Sequence, residues 1–579
     1  MAKTSGTFRF RRGDTVGAAD ADNDRQFLES CFVDNGDATV LLNCDNPKCI
    51  VVGRTGSGKT SLLLEVEKRA AGHTERIAPE SLSLNHIANS DTVHILSNLG
   101  VNLDPFFRLL WRHVLALQIL QHIRPVTEAE KANGLLAWIG RFLREDKSTM
   151  QKAARHKRVV EFIEKHGGKE FWGDVSQRVE GIVVRFEKEI EQQSERSAGV
   201  SVGMESNVIK ASTKFGDTTK RNDKNKVVSE LTIEDRRRFQ HVINEMHLKE
   251  LDGILDLVAE VMEDAGRNVY VVIDRLDLQW ADESIRFRLI RALIDTAIAF
   301  APVARVKIIL AMRIDLIERV YRDARHEPGT QSEKVRDYYL TLMWDASTLE
   351  QMLNERVNKL CSDRYAPNYK VTLADISNER MRKGRRHGAK TLEFIIQRTW
   401  LRPRDLIDFF NACIERSAGN PKISDDTVLE AEGEYSRNRL RSLAEEWQLE
   451  YPFLDDSLSR LLREKDRRFR LNTVSDNDLC EWVSQTLTRS QRDGDRLHAI
   501  ANSVDQSELS FDDARVELAA AFYKVGAVGV QNDESEKAQW ATNLSYSLSP
   551  SEIHQSSYLY IHPGLWKALG ITQDQENTP

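Results

Sequence analysis

Cysteine is scarce in this chain. Six are spread over 579 residues: Cys31, Cys44, Cys49, Cys361, Cys413 and Cys480. None sits in a Cys-x-x-Cys pair, which argues against a zinc site and a disulfide framework and for reduced thiols in a cytoplasmic protein. Long hydrophobic runs are missing too. No apolar stretch approaches the roughly 18 residues of a membrane helix, so no membrane partner is expected. The opening Met-Ala-Lys-Thr-Ser-Gly lacks the apolar segment of a secretory signal. Nor is there a surplus of positive charge. The formal net charge of −7 excludes a polycation built as a whole for nucleic acid, though a local basic face stays open. No nuclease, protease or deaminase constellation is visible.

What is present fits soluble globular domains: 41% hydrophobic and 30% charged residues. The length implies about three to four of them. The strongest local signal is "CIVVGRTGSGKTSLLLEVEKRA", starting at Cys49. A short apolar strand runs into Gly53-Arg-Thr-Gly-Ser-Gly-Lys59-Thr60, and a helical pattern with Leu62, Leu63, Leu64 and Val66 follows. This is the phosphate-loop motif in its required strand–loop–helix context. Its glycines, Gly53, Gly56 and Gly58, let the backbone curl so that N–H groups, with those of Ser57 and Ser61 alongside, converge on phosphates at a helix N-terminus. Lys59 is expected to reach the β- and γ-phosphates. The Thr60 hydroxyl is expected to ligate magnesium.

Such a loop needs an acid on a neighbouring strand. "NVYVVIDRLDLQW" (Asn268–Trp280) is a β-branched apolar run that ends at Asp274, the candidate for holding magnesium through water. Where a second acid often follows, to activate the attacking water, this chain has Arg275. Asp277 is the nearest replacement base and Glu283 a weaker one. A third buried-looking strand, "RVKIILAMR", ends at Arg313, which could sense the γ-phosphate. After it, Arg319, Arg322, Arg325 and Arg336 stand where an arginine finger could reach a neighbour's nucleotide. Further on, Arg402 and Arg404 flank Pro403 at a helix start, proline at the first turn being sound start chemistry. Arg404 is the candidate to report bound nucleotide to a lid.

The order of parts predicts an α/β fold. A parallel phosphate-loop sheet would form the core, with an N-terminal segment and its first part at 1–124 and its second part at 236–345. Between them, 125–235 reads as a large helical insertion, charged and amphipathic, broken by a Ser-, Gly- and Lys-rich stretch. A helical lid follows at 346–425. Residues 426–579 show short amphipathic helices, then the strand-like "SSYLYIHP", which suggests a winged-helix-like domain. Such domains often read DNA. Of two basic stretches, "REKDRRFR" (Arg463–Arg470) lies beside acids and reads as a solvated face. "RMRKGRRHG" (Arg380–Gly388) is the better candidate for phosphate contact.

"GRTGSGKT", "VVIDRLD", "ILAMR" and "LRPRDLI", in that order, resemble the AAA+/STAND-type P-loop ATPases, including their KAP-like and origin-recognition-like branches. The chain is most similar to a little-characterised bacterial P-loop ATPase family. That family shares the Ile-Asp-Arg-Leu-Asp strand end, a "WRHV" helix (Trp111–Val114), an Arg-Pro-Arg-Asp helix start and a "YIHP" segment (Tyr560–Pro563). The resemblance implies ATP and Mg2+ as ligands, Lys59 and Thr60 on phosphate and metal, Asp274 as the Walker B acid, Arg313 as sensor 1 and Arg404 as sensor 2. It also implies a homo-oligomer acting as an ATP-dependent switch, with a separate protein effector, in anti-phage defence or mobile-element conflict. Relatives often read Asp-Asp-Leu-Asp where this chain reads Asp274-Arg275-Leu276-Asp277, so turnover is expected to be slow. Two other readings stay open: a DNA-handling clamp or loader, and a nucleotide-stabilised scaffold without turnover.

Overall fold

The longest β-branched runs of the sequence become the central strands of one parallel sheet. In the computed structural model these are β1 (Ile50–Gly53), β3 (Val269–Ile273) and β4 (Val306–Arg313), buried along nearly their whole length. The edges are β2 (Thr74–Ile77) and β5 (Tyr339–Thr341). The order is β2-β3-β4-β1-β5, and every pairing is parallel. Strands buried on both faces read as continuous apolar runs rather than alternating ones, which is why the sequence announced them. Lys307 interrupts β4. Its buried ammonium donates to the carbonyls of Asn43 and Asn46, and burial draws its pKa below the ordinary lysine value. The structure describes residues 9–82, 90–123, 253–263, 266–278, 280–322, 332–365, 371–383, 386–489, 495–541 and 548–571, with single positions at 184, 187, 188, 240 and 243. The helical insertion expected at 125–235 lies almost wholly outside them, as does Arg325.

Helices supply the cover. α1 (Lys59–Arg69) follows β1 and buries Leu62, Leu63 and Val66. α2 (Asp104–Ile123) packs on α3 (Glu283–Phe300), where the Trp111 indole N–H donates to the Leu289 carbonyl at 2.8 Å. α4 (Ile314–Arg322) leaves β4 directly. The sheet and these helices, apart from the first three residues of α1, belong to a unit of Asp34–Arg54 and Leu62–Leu342.

A second unit contains Met1–Val33, Thr55–Ser61 and Met343–Pro579. Within it a short helix at Arg25–Cys31 precedes α5 (Ala346–Arg364), which starts at a capping box on Asp345. A basic hairpin, β6 (Arg380–Lys383) and β7 (Arg386–Lys390), and helix α6 (Pro403–Arg416) follow. α7 (Asp425–Glu446) is one unbroken helix. The C-terminal part adds α8 (Leu454–Leu462), β8 (Arg468–Arg470), α9 (Asp476–Leu487), α10 (Arg496–Asp505), α11 (Phe511–Val525), β9 (Val528–Gln531) and β10 (Tyr558–Ile561). Its strands form an antiparallel sheet in the order β8-β10-β9.

The N-terminal segment, grouped from sequence at 1–124 with the first part of the core, lies as Met1–Val33 in the second unit. Phe10 is buried in its hydrophobic cluster and exchanges backbone hydrogen bonds with Gly419 and Asn420. Arg356 of α5, itself buried, donates to Asp24 and to the Val16 carbonyl. The lid/C-terminal division at 425/426 falls in the first turn of α7. That helix serves two cores: Val428, Ala431 and Tyr435 enter one cluster, Leu440 and Leu443 the other. No described helix is long and apolar enough to cross a membrane.

All six cysteines are free. Burial pushes the Cys49, Cys361 and Cys413 thiols up to about 12 and raises those of Cys31 and Cys44, while Cys480 is exposed. A raised thiol pKa keeps the unreactive neutral form near neutral pH. Titration of the native chain with an aromatic disulfide reagent should therefore show one fast thiol, absent in Cys480→Ser, and the others only after denaturation.

Candidate functional site

Because the sheet is parallel, β1, β4 and β3 end on the same edge. Gly53 lies in register with Arg313, and Ile273 with Leu310, so the strand ends at Gly53, Arg313 and Asp274 follow one another along that edge. In open α/β sheets ligands bind outside this carboxyl edge, where the chain reverses its direction of strand addition. Here β2, β3 and β4 lie on one side of β1 and β5 on the other.

Asp274 is 9% exposed and directly follows β3. One carboxylate oxygen, Oδ1, accepts the N–H of Arg275 at 2.8 Å. Arg275 is exposed and has a left-handed backbone, φ +59. A non-glycine residue there costs on the order of 1 kcal/mol and persists only where its surroundings impose it. The next residues do so. Leu276 and Trp280 are buried, the Trp280 indole donates to the Leu276 carbonyl at 3.3 Å, and Arg286 donates to the Leu278 carbonyl at 3.0 Å. The turn after β3 is thus built to present Asp274 at the strand end with Arg275 directed outward.

Arg313 is held differently from expectation. Its guanidinium grips Asp315 with two hydrogen bonds, 2.8 and 3.0 Å, and reaches Asp277 at 3.5 Å. The structure therefore ties the sensor candidate to the base candidate. Asp277 is 38% exposed, so this pair contributes little to stability. Glu283 pairs with Arg319, one of the four finger candidates. Arg336 is exposed on a short turn before β5.

The loop Thr55–Ser61 is where the sequence reading gains most detail. Lys59 and Thr60 open α1, as the motif requires. Gly56 and Gly58 are left-handed, φ +77 and +93. Three consecutive carbonyls of the loop are held by donors from the same unit. Arg402 Nη1 donates to Thr55 at 3.1 Å, the Arg404 N–H to Gly56 at 3.4 Å, and the Trp344 indole to Ser57 at 2.8 Å. In a trans peptide the C=O and the following N–H point in opposite directions. Fixing these carbonyls therefore turns the N–H groups of Gly56, Ser57 and Gly58 away from those donors. Gly56 also has no room for a side chain, since a Cβ there would lie 2.8 Å from Arg404 Cβ.

Arg404, the expected lid sensor, thus meets the loop through its backbone and its stem. Its Nε donates to the Ala19 carbonyl at 3.2 Å. Arg402 does more than the sequence suggested. It is buried, shares Glu446 with Arg439, and Arg439 in turn sits beside Asp405. Burial opposes the charge on Arg439, but Asp405 and Glu446 hold its pKa above the ordinary arginine value. Trp344 was missed altogether. It stands just before the capping box of α5, a place where only its local position, not any periodicity, could have marked it.

Two comparisons bear on this unit. Residues 347–444 match a family model described as the FunZ-associated C-terminal helical domain. The match begins in α5 and ends within α7, so it takes in Arg402 and Arg404 and runs past the boundary expected at 425. An Escherichia coli (strain K12) protein named for transposon gamma-delta, with a mass of 80.3 kDa, is 20% identical over 580 positions. The alignment takes in 97% of this chain and 67% of that protein.

The strained turn gives a direct test. Arg275→Gly relieves the left-handed backbone and should raise stability by about 0.5–1 kcal/mol, whereas Arg275→Val should lower it by at least about 1 kcal/mol. Urea denaturation of the three proteins, read by tryptophan fluorescence, checks both signs.

Proposed function

We propose that this chain is a P-loop ATPase of AAA+/STAND-like type that binds ATP with Mg2+, hydrolyses it slowly and uses the cycle as a conformational or assembly switch. One observation carries the reading. A phosphate-loop motif leaves a central parallel strand, and Arg313 and Asp274 end the next two strands on the same sheet edge. The fit to a triphosphate is supported by the loop itself. Two left-handed glycines and three tied carbonyls leave the N–H side of the loop to face an anion. Lys59 would meet the phosphates, and Thr60 and Asp274 would hold the metal, which supplies neutralising charge when bound.

Phosphoryl transfer is mostly positioning and electrostatics, so the Arg275 substitution does not by itself silence the site. In this reading Asp277, paired with Arg313, orients that arginine and is not a strong base. The β8-β10-β9 sheet with its helices we read as winged-helix-like, and residues 346–425 as the helical lid. The relative named for a transposon supports a mobile-element setting; a homo-oligomeric switch with a separate effector protein, in anti-phage defence, completes the proposal. The Asp277–Arg313 pairing is also the observation that favours the alternative, a nucleotide-stabilised scaffold without turnover.

Phosphate release separates these. Lys59→Ala and Asp274→Asn should each lower turnover about 100-fold or more, as removal of a preorganised charge does elsewhere. Asp277→Asn should lower it less than about tenfold. Wild-type release that survives Lys59→Ala would overturn the site. Absence of release, with ATP still raising the melting temperature, would establish the scaffold.

A further inference from the structure

The hairpin β6–β7 forms a two-stranded sheet of its own. From Arg380 to Lys390 it reads RMRKGRRHGAK: six Lys or Arg, one His and no acid, in a chain whose net charge is −7. The strands pair antiparallel, with Arg380 opposite Lys390 and Arg382 opposite His387. Like charges directly opposite one another weaken a ladder. Among the described side chains of the hairpin, folding accounts for Met381, buried in the cluster that also holds Leu373, Ile376 and Ile395.

Arg380, Arg382 and Lys390 are exposed. Among the described residues none of the three forms an ion pair, and Arg380 donates only to the Gly388 carbonyl, at 3.2 Å. The acid at the foot of the hairpin, Asp425, is taken up by the Arg382 backbone N–H at 2.8 Å and the Asn378 amide at 2.7 Å. The ladder therefore keeps a concentrated cationic surface at a cost to its own stability. An external polyanion would offset that cost.

Shape and composition choose among polyanions. A two-stranded β-ribbon is one of the two elements the DNA major groove admits. A lipid surface selects aromatic and apolar side chains alongside the basic ones, and this ribbon has no aromatic residue, its one large apolar side chain being buried. We infer that the basic strands β6 and β7, through Arg380, Arg382 and Lys390, form a docking ribbon for duplex DNA, held mainly by phosphate contacts and therefore tolerant of sequence. This stands independently of the ATPase reading.

The test uses the full chain and a labelled mixed-sequence duplex of about 30 base pairs, with anisotropy read from about 50 to 200 mM KCl, with and without ATP. Arg380→Gln/Arg382→Gln/Lys390→Gln should bind about tenfold or more weakly at low salt, and the slope of log affinity against log salt should fall by about 2 to 3. Arg380→Lys/Arg382→Lys should keep the wild-type slope. The triple variant should unfold at the same temperature as wild type or slightly above, which shows that it folds. The inference is overturned by a wild type that ignores the duplex or by a triple variant with unchanged affinity and slope. It is also overturned by hairpin-dependent binding to phosphatidylserine vesicles in place of DNA.

Discussion

Three hydrogen bonds to consecutive carbonyls hold the seven-residue loop Thr55–Ser61 in one shape. Trp344, Arg402 and the backbone of Arg404 hold the carbonyls of Ser57, Thr55 and Gly56. A loop rich in glycine has many conformations, and a cradle of N–H groups is useful only if one of them is imposed. The donors impose it, and peptide planarity does the rest. Each donor is itself anchored. Arg402 is fixed by Glu446 on α7, Arg404 by Ala19, and Trp344 by its place beside the capping box of α5. Sequence segments as distant as 9–33 and 425–446 thereby share in setting one short loop.

The parallel-sheet unit solves a related problem by strain. Asp274 must stand at the end of a buried strand while the chain turns sharply away. The left-handed Arg275, clamped by buried Leu276 and Trp280, makes that turn and directs its own N–H to the Asp274 carboxylate. Strain of this kind persists where the surroundings over-determine the backbone, and it gathers at sites that work. Arg275 then has a conformational reason to be there, separate from the missing second acid.

Much of this was legible in the sequence, for reasons of burial. β1 and β3 are covered on both faces and so appear as unbroken apolar runs, and β4 as a long run broken by Lys307; Gly53 and Arg313 end β1 and β4, and Asp274 directly follows β3. The glycine spacing of the loop and the Pro403 helix start were equally plain. What stayed hidden depended on contacts without periodicity. An indole N–H meeting a carbonyl far away in the chain leaves no pattern around Trp344. The pairing of Arg313 with Asp315 and Asp277 needs the turn after β3 and the start of α4 to be placed first. The N-terminal segment has too few apolar residues to declare its partner, yet Phe10 and Val16 are fully part of the second unit. α7 reads as two pieces because its buried face changes cores half-way, from Tyr435 to Leu440.

The central claim is that the tied carbonyls set the loop for a triphosphate. Calorimetric titration of Mg2+ and a slowly hydrolysed ATP analogue into wild type and Trp344→Phe tests it most directly. The substitution keeps an aromatic ring and removes one donor, a loss of about 1 kcal/mol, so the account predicts measurable wild-type binding that weakens about fivefold in the variant. Absence of wild-type binding, or an identical affinity in Trp344→Phe, would contradict it.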